Sequence, residues 1–359
     1  MLRSAPCIVL IAAAAWPALA GAAPAKIVPT ANLQYEWARV DSGNGSAQSG
    51  DGFRRARLGF RVKGDDQRWQ LVVEHDFSGR TPADAFLELS PSNGEAIRIG
   101  QFKQPFSLED ALTDKQSAFL EPSPLGALVI SRRIGVEYAR WGPRGTFAAA
   151  LFGQRLDGSN ASPGASLRGT WRLRSEAQTS AHLGFSVASE FPRSARAGYS
   201  LNAGTVFSDL KTAATGSLAG VDRVDRFAAE ALWLRGAWSA QVELAQVIAR
   251  RDLGTVHASA GSVQLTWSPT GDGRRYQRGV AAGPAPAGHV GWELALRAGF
   301  IDLDDGAVQG GQVQTWGLAA TCYPHPRLRV IANLLHFRSR RAGVTDSPLT
   351  AGVRVQFSY

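Results

Sequence analysis

The chain has 359 residues, a formal net charge of +9, 39 Gly, 18 Pro and 2 Cys. With 44% hydrophobic residues and a mean hydropathy of −0.13, the composition excludes a polytopic helical membrane protein and a disordered chain. Five of the 39 basic residues are lysines and 34 are arginines, whose planar donor fork fits phosphate and carboxylate oxygens. The excess positive charge indicates an anionic partner: nucleic acid, an anionic membrane surface or a small anion.

Residues 1–20 have the layout of a secretory signal peptide. A basic start at residues 1–3 precedes the apolar run 8–16, and small residues at 18 and 20 form a cleavage site. Cleavage is expected after Ala20, or at a position up to residue 23, and the alternative is a buried N-terminal helix. The mature chain, residues 21–359, then keeps one thiol, Cys322, and forms no internal disulfide.

Residues 53–63 introduce the pattern that dominates the rest of the chain. One face carries Ala56, Leu58, Phe60 and Val62, and the opposite face carries Arg55, Arg57, Arg61 and Lys63. Such period-two alternation is typical of a strand with one apolar and one polar side. It recurs in short segments separated by turn clusters, and no helical period persists for three turns. About seventeen candidate strands between Ile27 and Tyr359 predict one all-β, antiparallel domain.

Two architectures fit this pattern, a soluble sandwich or small barrel and a transmembrane barrel. The apolar faces carry aromatic residues near the strand ends, where the interfacial girdles of membrane barrels lie. Strands of nine to eleven residues also match a tilted crossing of the hydrocarbon layer. We therefore expect a transmembrane antiparallel β-barrel, with a lipid bilayer as its surroundings.

The C terminus carries a candidate assembly signal. Gly352 is followed by apolar residues at every second position, among them Val355 and Phe357, and the chain ends on Tyr359. This segment resembles the closing strand of bacterial outer-membrane barrels. The resemblance implies recognition by the barrel-assembly machinery and a location in the bacterial outer membrane, and the alternative is an ordinary amphipathic last strand.

A set of ordered motifs narrows the resemblance. The segments are FRRAR (53–57), EHDF (74–77), ADAFLE (83–88), IRIGQFKQPFSL (97–108), GG (310–311), TWGL (315–318) and YPHP (323–326). Together they resemble the phosphate-selective porin O and P family over nearly the whole mature chain. The resemblance implies a sixteen-stranded barrel, a homotrimer and a pore lined by an arginine ladder.

Alternation also predicts which cations face the lumen. If the apolar faces meet lipid, Arg55, Arg57, Arg61 and Lys63 must point inward, because neighbouring residues of a strand face opposite sides. The same reasoning places further arginines inside the barrel, namely Arg98, Arg133, Arg168, Arg172, Arg174, Arg297 and Arg354. Arginines in turn clusters, such as Arg274, Arg275, Arg340 and Arg341, are expected to be solvated without a role in the pore.

Residues 103–131 form the longest interval without alternation. Such a long loop after an early hairpin either folds inward and narrows the pore or stays on the surface. The family resemblance favours the constriction loop, with Lys103 or Lys115 beside the narrowest point. The small number of lysines argues against tight phosphate binding more than against a preference for anions.

Catalytic, metal and cofactor motifs are weak. The six histidines form no HExxH motif and no paired zinc spacing, and GxSxG and phosphate-binding loops are absent from the sequence. The segment from Asp302 to Gly306 resembles the start of a calcium loop, but Val313 stands where the glutamate ligand belongs. We expect no enzyme, no metal and no cofactor.

Three functions are compatible with these features. The first is a passive outer-membrane porin selective for small inorganic anions, phosphate or polyphosphate above all. The second is a general porin whose arginines are balanced by lumenal carboxylates. The third is a secreted protein that binds a polyanion. The first is preferred, with no nucleic-acid partner.

Overall fold

The structure is a computed structural model that describes residues 25–64, 66–176 and 179–359. Its main sheet is antiparallel, and sixteen long strands form the wall. These strands are β1 (Lys26–Asp41), β2 (Ala47–Lys63), β3 (Trp69–Asp76), β4 (Thr81–Leu89), β5 (Glu95–Lys103), β6 (Arg132–Gly142), β7 (Gly145–Phe152) and β8 (Gly164–Glu176). They continue with β9 (Thr179–Glu190), β10 (Val221–Arg235), β11 (Trp238–Arg251), β12 (Val256–Trp267), β13 (Gly291–Asp305), β14 (Val308–His325), β15 (Leu328–Arg341) and β16 (Leu349–Ser358).

Short elements lie in the connections. The α-helix α1 covers Leu108–Ala111, and two 3₁₀ helices cover Asp114–Gln116 and Pro124–Leu128. Short strands cover Arg196–Ala197, Ser200–Asn202, Lys211–Ala214, Leu218–Ala219, Arg275–Gln277, Val280–Ala282 and Val344–Asp346. Within the described residues, no helix combines the length and apolar character needed to span a membrane. The predicted signal peptide at residues 1–20 lies outside the described residues.

The wall closes between its first and last strands. Each wall strand pairs with its neighbour along the chain, and β1 pairs with both β2 and β16. The expected strand number of about sixteen is confirmed. The candidate segment from Ile27 belongs to the wall as β1, and the seventeenth strand of the sheet is the three-residue extension Val344–Asp346. Closure leaves the wall without an unpaired edge, as a barrel in lipid requires.

The exterior of the wall is apolar and the interior is polar. On β13, Trp292, Leu294 and Leu296 are exposed, whereas Glu293 and Arg297 are buried. Aromatic residues gather near the strand ends on the exposed face, where Trp238 and Trp267 stack with their ring centroids 5.5 Å apart. This arrangement is the reverse of that in a soluble barrel and is the one that a lipid environment requires.

The two ends of the barrel differ. β1 begins and β16 ends at the same end of the barrel, called here the terminal end, because the number of wall strands is even. Most turns at this end are short, and the exception is the connection of residues 268–290. The opposite end, called the loop end, carries the long connections 104–131, 153–163 and 191–220. In outer-membrane barrels the short turns are periplasmic and the long loops extracellular.

Residues 104–131, called here the inner loop, fold into the barrel. Phe106, Phe119 and Leu125 of this loop are fully buried in an apolar cluster with inward-facing small residues of the wall. The wall side of this cluster includes Ala245 on β11 and Ala260 on β12. The inner loop thus buries its apolar side against one part of the wall, and its carboxylates Asp110, Asp114 and Glu121 lie against cations of β2, β5 and β16.

The closing strand contacts the inner loop as well as β1. Phe357 pairs with Leu33, and the backbone of Tyr359 exchanges two hydrogen bonds with Ala31, at 2.9 and 3.1 Å. Gly352 faces inward, and a Cβ atom there would lie 2.7 Å from the side chain of Leu120. The glycine of the terminal motif therefore makes room for the inner loop.

Removing the aromatic end of β16 should lower the yield of folded barrel. The change is deletion of Tyr359 or replacement of both Phe357 and Tyr359 by serine, which weakens the seam between β1 and β16. An open seam leaves backbone groups unpaired in lipid, and each such group costs several kcal/mol. Heat-modifiable mobility in gel electrophoresis measures the folded fraction. An unchanged folded fraction in both variants would contradict the role of this strand in closure.

Candidate functional site

The inner loop is fastened to two separate parts of the wall. Glu243 on β11 accepts hydrogen bonds from the backbone N–H groups of Leu108 at 2.8 Å and Glu109 at 3.1 Å. Arg329 on β15 donates a hydrogen bond to the carbonyl oxygen of Ser117 at 2.8 Å. The inner loop starts after β5, and both β11 and β15 lie six strand positions from β5 in the ring of sixteen. These contacts therefore carry the inner loop across the lumen.

A β-bulge turns two consecutive arginines of β2 into the lumen. Gln34 pairs with Arg55 and Tyr35 pairs with Phe53, so Arg54 is an extra residue opposite β1. Arg54 donates two hydrogen bonds, of 2.5 and 2.8 Å, to the carboxylate of Glu121 in the inner loop. Strict alternation would have directed Arg54 to lipid, and therefore sequence analysis missed it.

Three of the predicted anion-binding residues meet at Asp114 of the inner loop. Oδ2 of Asp114 lies 3.2 Å from Nε of Arg55 and 2.9 Å from Nη1 of Arg57, and Oδ1 lies 3.4 Å from Nζ of Lys103. Arg57 also donates a hydrogen bond to Asp76 at 3.0 Å. Burial alone would raise the pKa of Asp114, but the charges of Lys103, Arg55 and Arg57 outweigh it and hold this pKa well below its usual value.

A cavity of about 510 Å³ adjoins this cluster. Its basic lining residues are Arg54, Arg55, Arg57, Lys103, Arg132 and Arg155, and its acidic lining residues are Asp76, Glu109, Asp110 and Asp114. Arg132 is itself bound to both carboxylate oxygens of Asp84, at 2.8 and 3.1 Å. Positive and negative side chains therefore nearly balance at the level of the inner loop.

Three further predicted residues of the lumen also lie against carboxylates. Arg98 contacts Glu88 at 2.6 Å and Glu137 at 3.1 Å. Arg168 donates hydrogen bonds of 3.0 and 2.6 Å to Glu230. Arg133 lies 3.6 Å from Glu190. All three arginines are inside the barrel as expected, and their charges are compensated there.

A second group of cations lies toward the terminal end and has no carboxylate within 4.0 Å among the described residues. This group, called here the terminal-side cations, consists of the predicted residues Arg61, Lys63, Lys115 and Arg172 together with Arg278 of the 268–290 connection. Arg172 packs over the ring of Tyr276 at 4.3 Å, and Arg278 over Trp141 at 3.7 Å.

Lys115 places the inner loop within this second group. Its carbonyl oxygen accepts a hydrogen bond of 3.1 Å from Gln356 near the end of β16. Burial lowers the pKa of the Lys115 amine, Glu74 opposes this effect, and Arg61 and Arg57 reinforce it. The influence of both arginines indicates that Lys115 shares the electrostatic environment of the cations on β2.

Two of the expectations about arginines are wrong. Arg274 was expected to be a solvated loop residue, yet it is 4% exposed, pairs with Glu293 at 2.7 Å and donates to the carbonyl oxygen of Gln116. The 268–290 connection folds into the barrel, and no periodic pattern in its sequence predicts this. Arg174 was expected inside, but a register shift after Arg172 turns it to the exposed rim.

Comparisons with known proteins agree with this geometry. The family model described as phosphate-selective porin O and P matches residues 29–359. A comparison with curated proteins returned no match.

Several solved structures share the fold of the chain. An anion-selective porin from Comamonas acidovorans is 13% identical with a TM-score of 0.61, and the match covers 93% of this chain and 100% of that chain. OmpT of Vibrio cholerae, in a trimer form, is 13% identical with a TM-score of 0.61, covering 94% and 100%. The outer membrane channel DcaP of Acinetobacter baumannii is 11% identical with a TM-score of 0.59, covering 93% and 97%. At these identities the similarity establishes the fold.

The family model covers nearly the whole described chain, and the barrel has the apolar exterior and polar lumen of a membrane channel. The alternative of a soluble, secreted polyanion-binding protein is therefore wrong. The chain belongs to the phosphate-selective porin O and P family and is a porin of the bacterial outer membrane, a passive channel and not an enzyme.

Proposed function

We propose that this porin is selective for small inorganic anions, including phosphate, and conducts them along lumenal cations. The observation that carries the proposal is the group of terminal-side cations, which lack carboxylate partners among the described residues. An arginine already bound to a carboxylate must give up that contact before it binds an anion, whereas an unpaired cation is available at once. Glu74 faces this group, but its single negative charge does not cancel the positive charges of the five cations.

Anions would cross by exchanging hydration water for N–H groups. Each charge-assisted hydrogen bond contributes about 1.5–3 kcal/mol, so a few shared contacts offset partial dehydration. Arg61 and Lys63 lie two residues apart on β2, a spacing of about 6.5–7 Å, so an ion leaving one residue already interacts with the next. Conduction requires that each site also bind weakly enough to release the ion.

A general, weakly selective porin is the second candidate. The observation in its favour is the charge balance at the inner loop, where Arg54, Arg57 and Arg132 are each bound to a carboxylate. We prefer anion selectivity because the terminal-side cations add positive charge that this balance does not remove. The Comamonas acidovorans porin, which has the same fold, is anion-selective, and this is consistent with the preference.

The inner loop would act as the constriction in this function. It crosses the lumen from β5 to its contacts with Glu243 and Arg329, and it places Lys115 among the terminal-side cations.

We also propose that the chain assembles as a homotrimer, as the OmpT structure does in its trimer form, and that the barrel-assembly machinery recognises β16 through Phe357 and Tyr359. Cleavage of residues 1–20 would accompany export.

Reversing one unpaired charge should reduce anion selectivity without unfolding the barrel. In Arg61→Glu the new carboxylate faces Lys115 and repels anions, so the reversal potential in a potassium chloride gradient should move toward the potassium value. Arg235→Glu is the matched control, because Arg235 is exposed at the terminal end, carries the same charge and has no carboxylate within 4.0 Å among the described residues. An equal shift in both variants, or none in Arg61→Glu, would refute the role of the terminal-side cations.

Arg57 is the less suitable residue for this experiment. It contacts both Asp76 and Asp114, so Arg57→Glu would bring three carboxylates together. We expect that change to lower the yield of folded barrel, in contrast to Arg61→Glu.

Removing the hydrogen-bond acceptor at Glu243 should raise the single-channel conductance and increase the noise of the open channel. Glu243→Ala leaves the N–H groups of Leu108 and Glu109 without their acceptor, at a cost of about 1–3 kcal/mol for each buried group. A loosened inner loop should give higher single-channel conductance and more open-channel noise. Glu243→Gln keeps one side-chain oxygen as an acceptor, so its conductance should lie between those of the unmodified protein and Glu243→Ala. Identical conductance in all three proteins would count against the inner loop as the constriction.

A further inference from the structure

Asp114 occupies the place in the lumen where basic side chains converge. Its carboxylate contacts Arg55, Arg57 and Lys103 at distances between 2.9 and 3.4 Å. Nitrogen atoms arranged around two oxygens in this way also suit the oxygens of a small oxyanion. The protein itself therefore supplies the anion that fills its arginine cluster.

The geometry of these contacts is poorer than that of the neighbouring ion pairs. Arg132 binds Asp84 through two hydrogen bonds of 2.8 and 3.1 Å, and Arg54 binds Glu121 through two of 2.5 and 2.8 Å. Oδ2 of Asp114, by contrast, is buried without a hydrogen bond of acceptable geometry, and so is Nε of Arg55. Charge attraction, more than directional hydrogen bonding, keeps Asp114 in place.

The backbone beside Asp114 is fixed by hydrogen bonds, so any movement of the carboxylate is a rotation of its side chain. Gln356 and Arg329 donate hydrogen bonds of 3.1 and 2.8 Å to the carbonyl oxygens of Lys115 and Ser117. The carboxylate also borders the cavity of about 510 Å³ beside the cluster. The cations that contact Asp114 line this cavity as well. An anion that enters it therefore meets both, and the cavity offers space into which the side chain can turn.

We propose that Asp114 is a tethered competitor, which a permeating oxyanion must displace before it binds Arg55, Arg57 and Lys103. This inference rests on the proposed anion selectivity and adds a residue that sets the affinity. A displaced carboxylate remains close on the same loop and returns when the ion leaves. The competition weakens the binding of the oxyanion and speeds its release, which favours a high flux through the channel. The low pKa of Asp114 keeps the competitor charged across the neutral range.

The test compares phosphate binding in the unmodified protein and in Asp114→Asn. Inorganic phosphate, titrated against the chloride current of single channels, gives a half-blocking concentration. The asparagine keeps the shape of the side chain but not its charge. We expect the half-blocking concentration to fall by about tenfold, which corresponds to about 1.4 kcal/mol. Asp114→Ala should give a fall in the same direction, and heat-modifiable mobility checks that both variants fold.

Asp110→Asn is the matched comparison. Asp110 lies on the same inner loop and lines the same cavity, but among these cations it contacts Lys103 alone, at 3.4 Å. If only the loss of one negative charge from the cavity mattered, both asparagine variants would shift the half-blocking concentration equally. Displacement of a competitor predicts a clearly larger shift for Asp114→Asn.

The two proposals fail in different ways. Equal half-blocking concentrations in the unmodified protein, Asp114→Asn and Asp110→Asn, or equal shifts in the two variants, would overturn the role of Asp114 and leave anion selectivity intact. A reversal potential on the potassium side in the unmodified protein would instead overturn the proposed function.

Discussion

The structure depends on one constraint, that charged side chains of a wall surrounded by lipid must point into the lumen. A charge turned outward near the bilayer midplane costs about 2–4 kcal/mol, and the exposed face of β13 carries Trp292, Leu294 and Leu296 instead. Inside the lumen the charges are close together, and most of the arginines lower their energy by pairing with a carboxylate. The pairs of Arg54 with Glu121 and of Arg57 with Asp76 are consequences of this crowding.

The inner loop divides these charges into two groups. Its apolar side packs against the small inward residues of β11 and β12, and its carboxylates neutralise the arginines of β2 and β16. Toward the terminal end such carboxylates are fewer, and Arg61, Lys63 and Arg172 have none within 4.0 Å in the described part of the chain. The same ion pairs that hold the inner loop thus determine where positive charge remains available to a permeating ion.

Sequence alone predicted the wall and most of its polarity, because period-two alternation follows directly from strand geometry. It could not predict the bulge that turns Arg54 inward or the register shift that turns Arg174 outward, since either changes parity by one residue. It also could not place Arg274, because the inward fold of residues 268–290 depends on contacts with distant residues such as Glu293. Alternation shows which side chains face the lumen. Only the packed loops show which of the lumenal cations are paired with carboxylates.

The measurement that tests this account most directly is the zero-current potential of the unmodified channel across a potassium chloride gradient. Excess positive charge on the terminal side of the inner loop predicts a potential of the sign that chloride permeation produces. It also predicts a smaller magnitude at high ionic strength, where salt screens the lumenal charges. A potential of zero, or one of the sign that potassium permeation produces, would contradict the account.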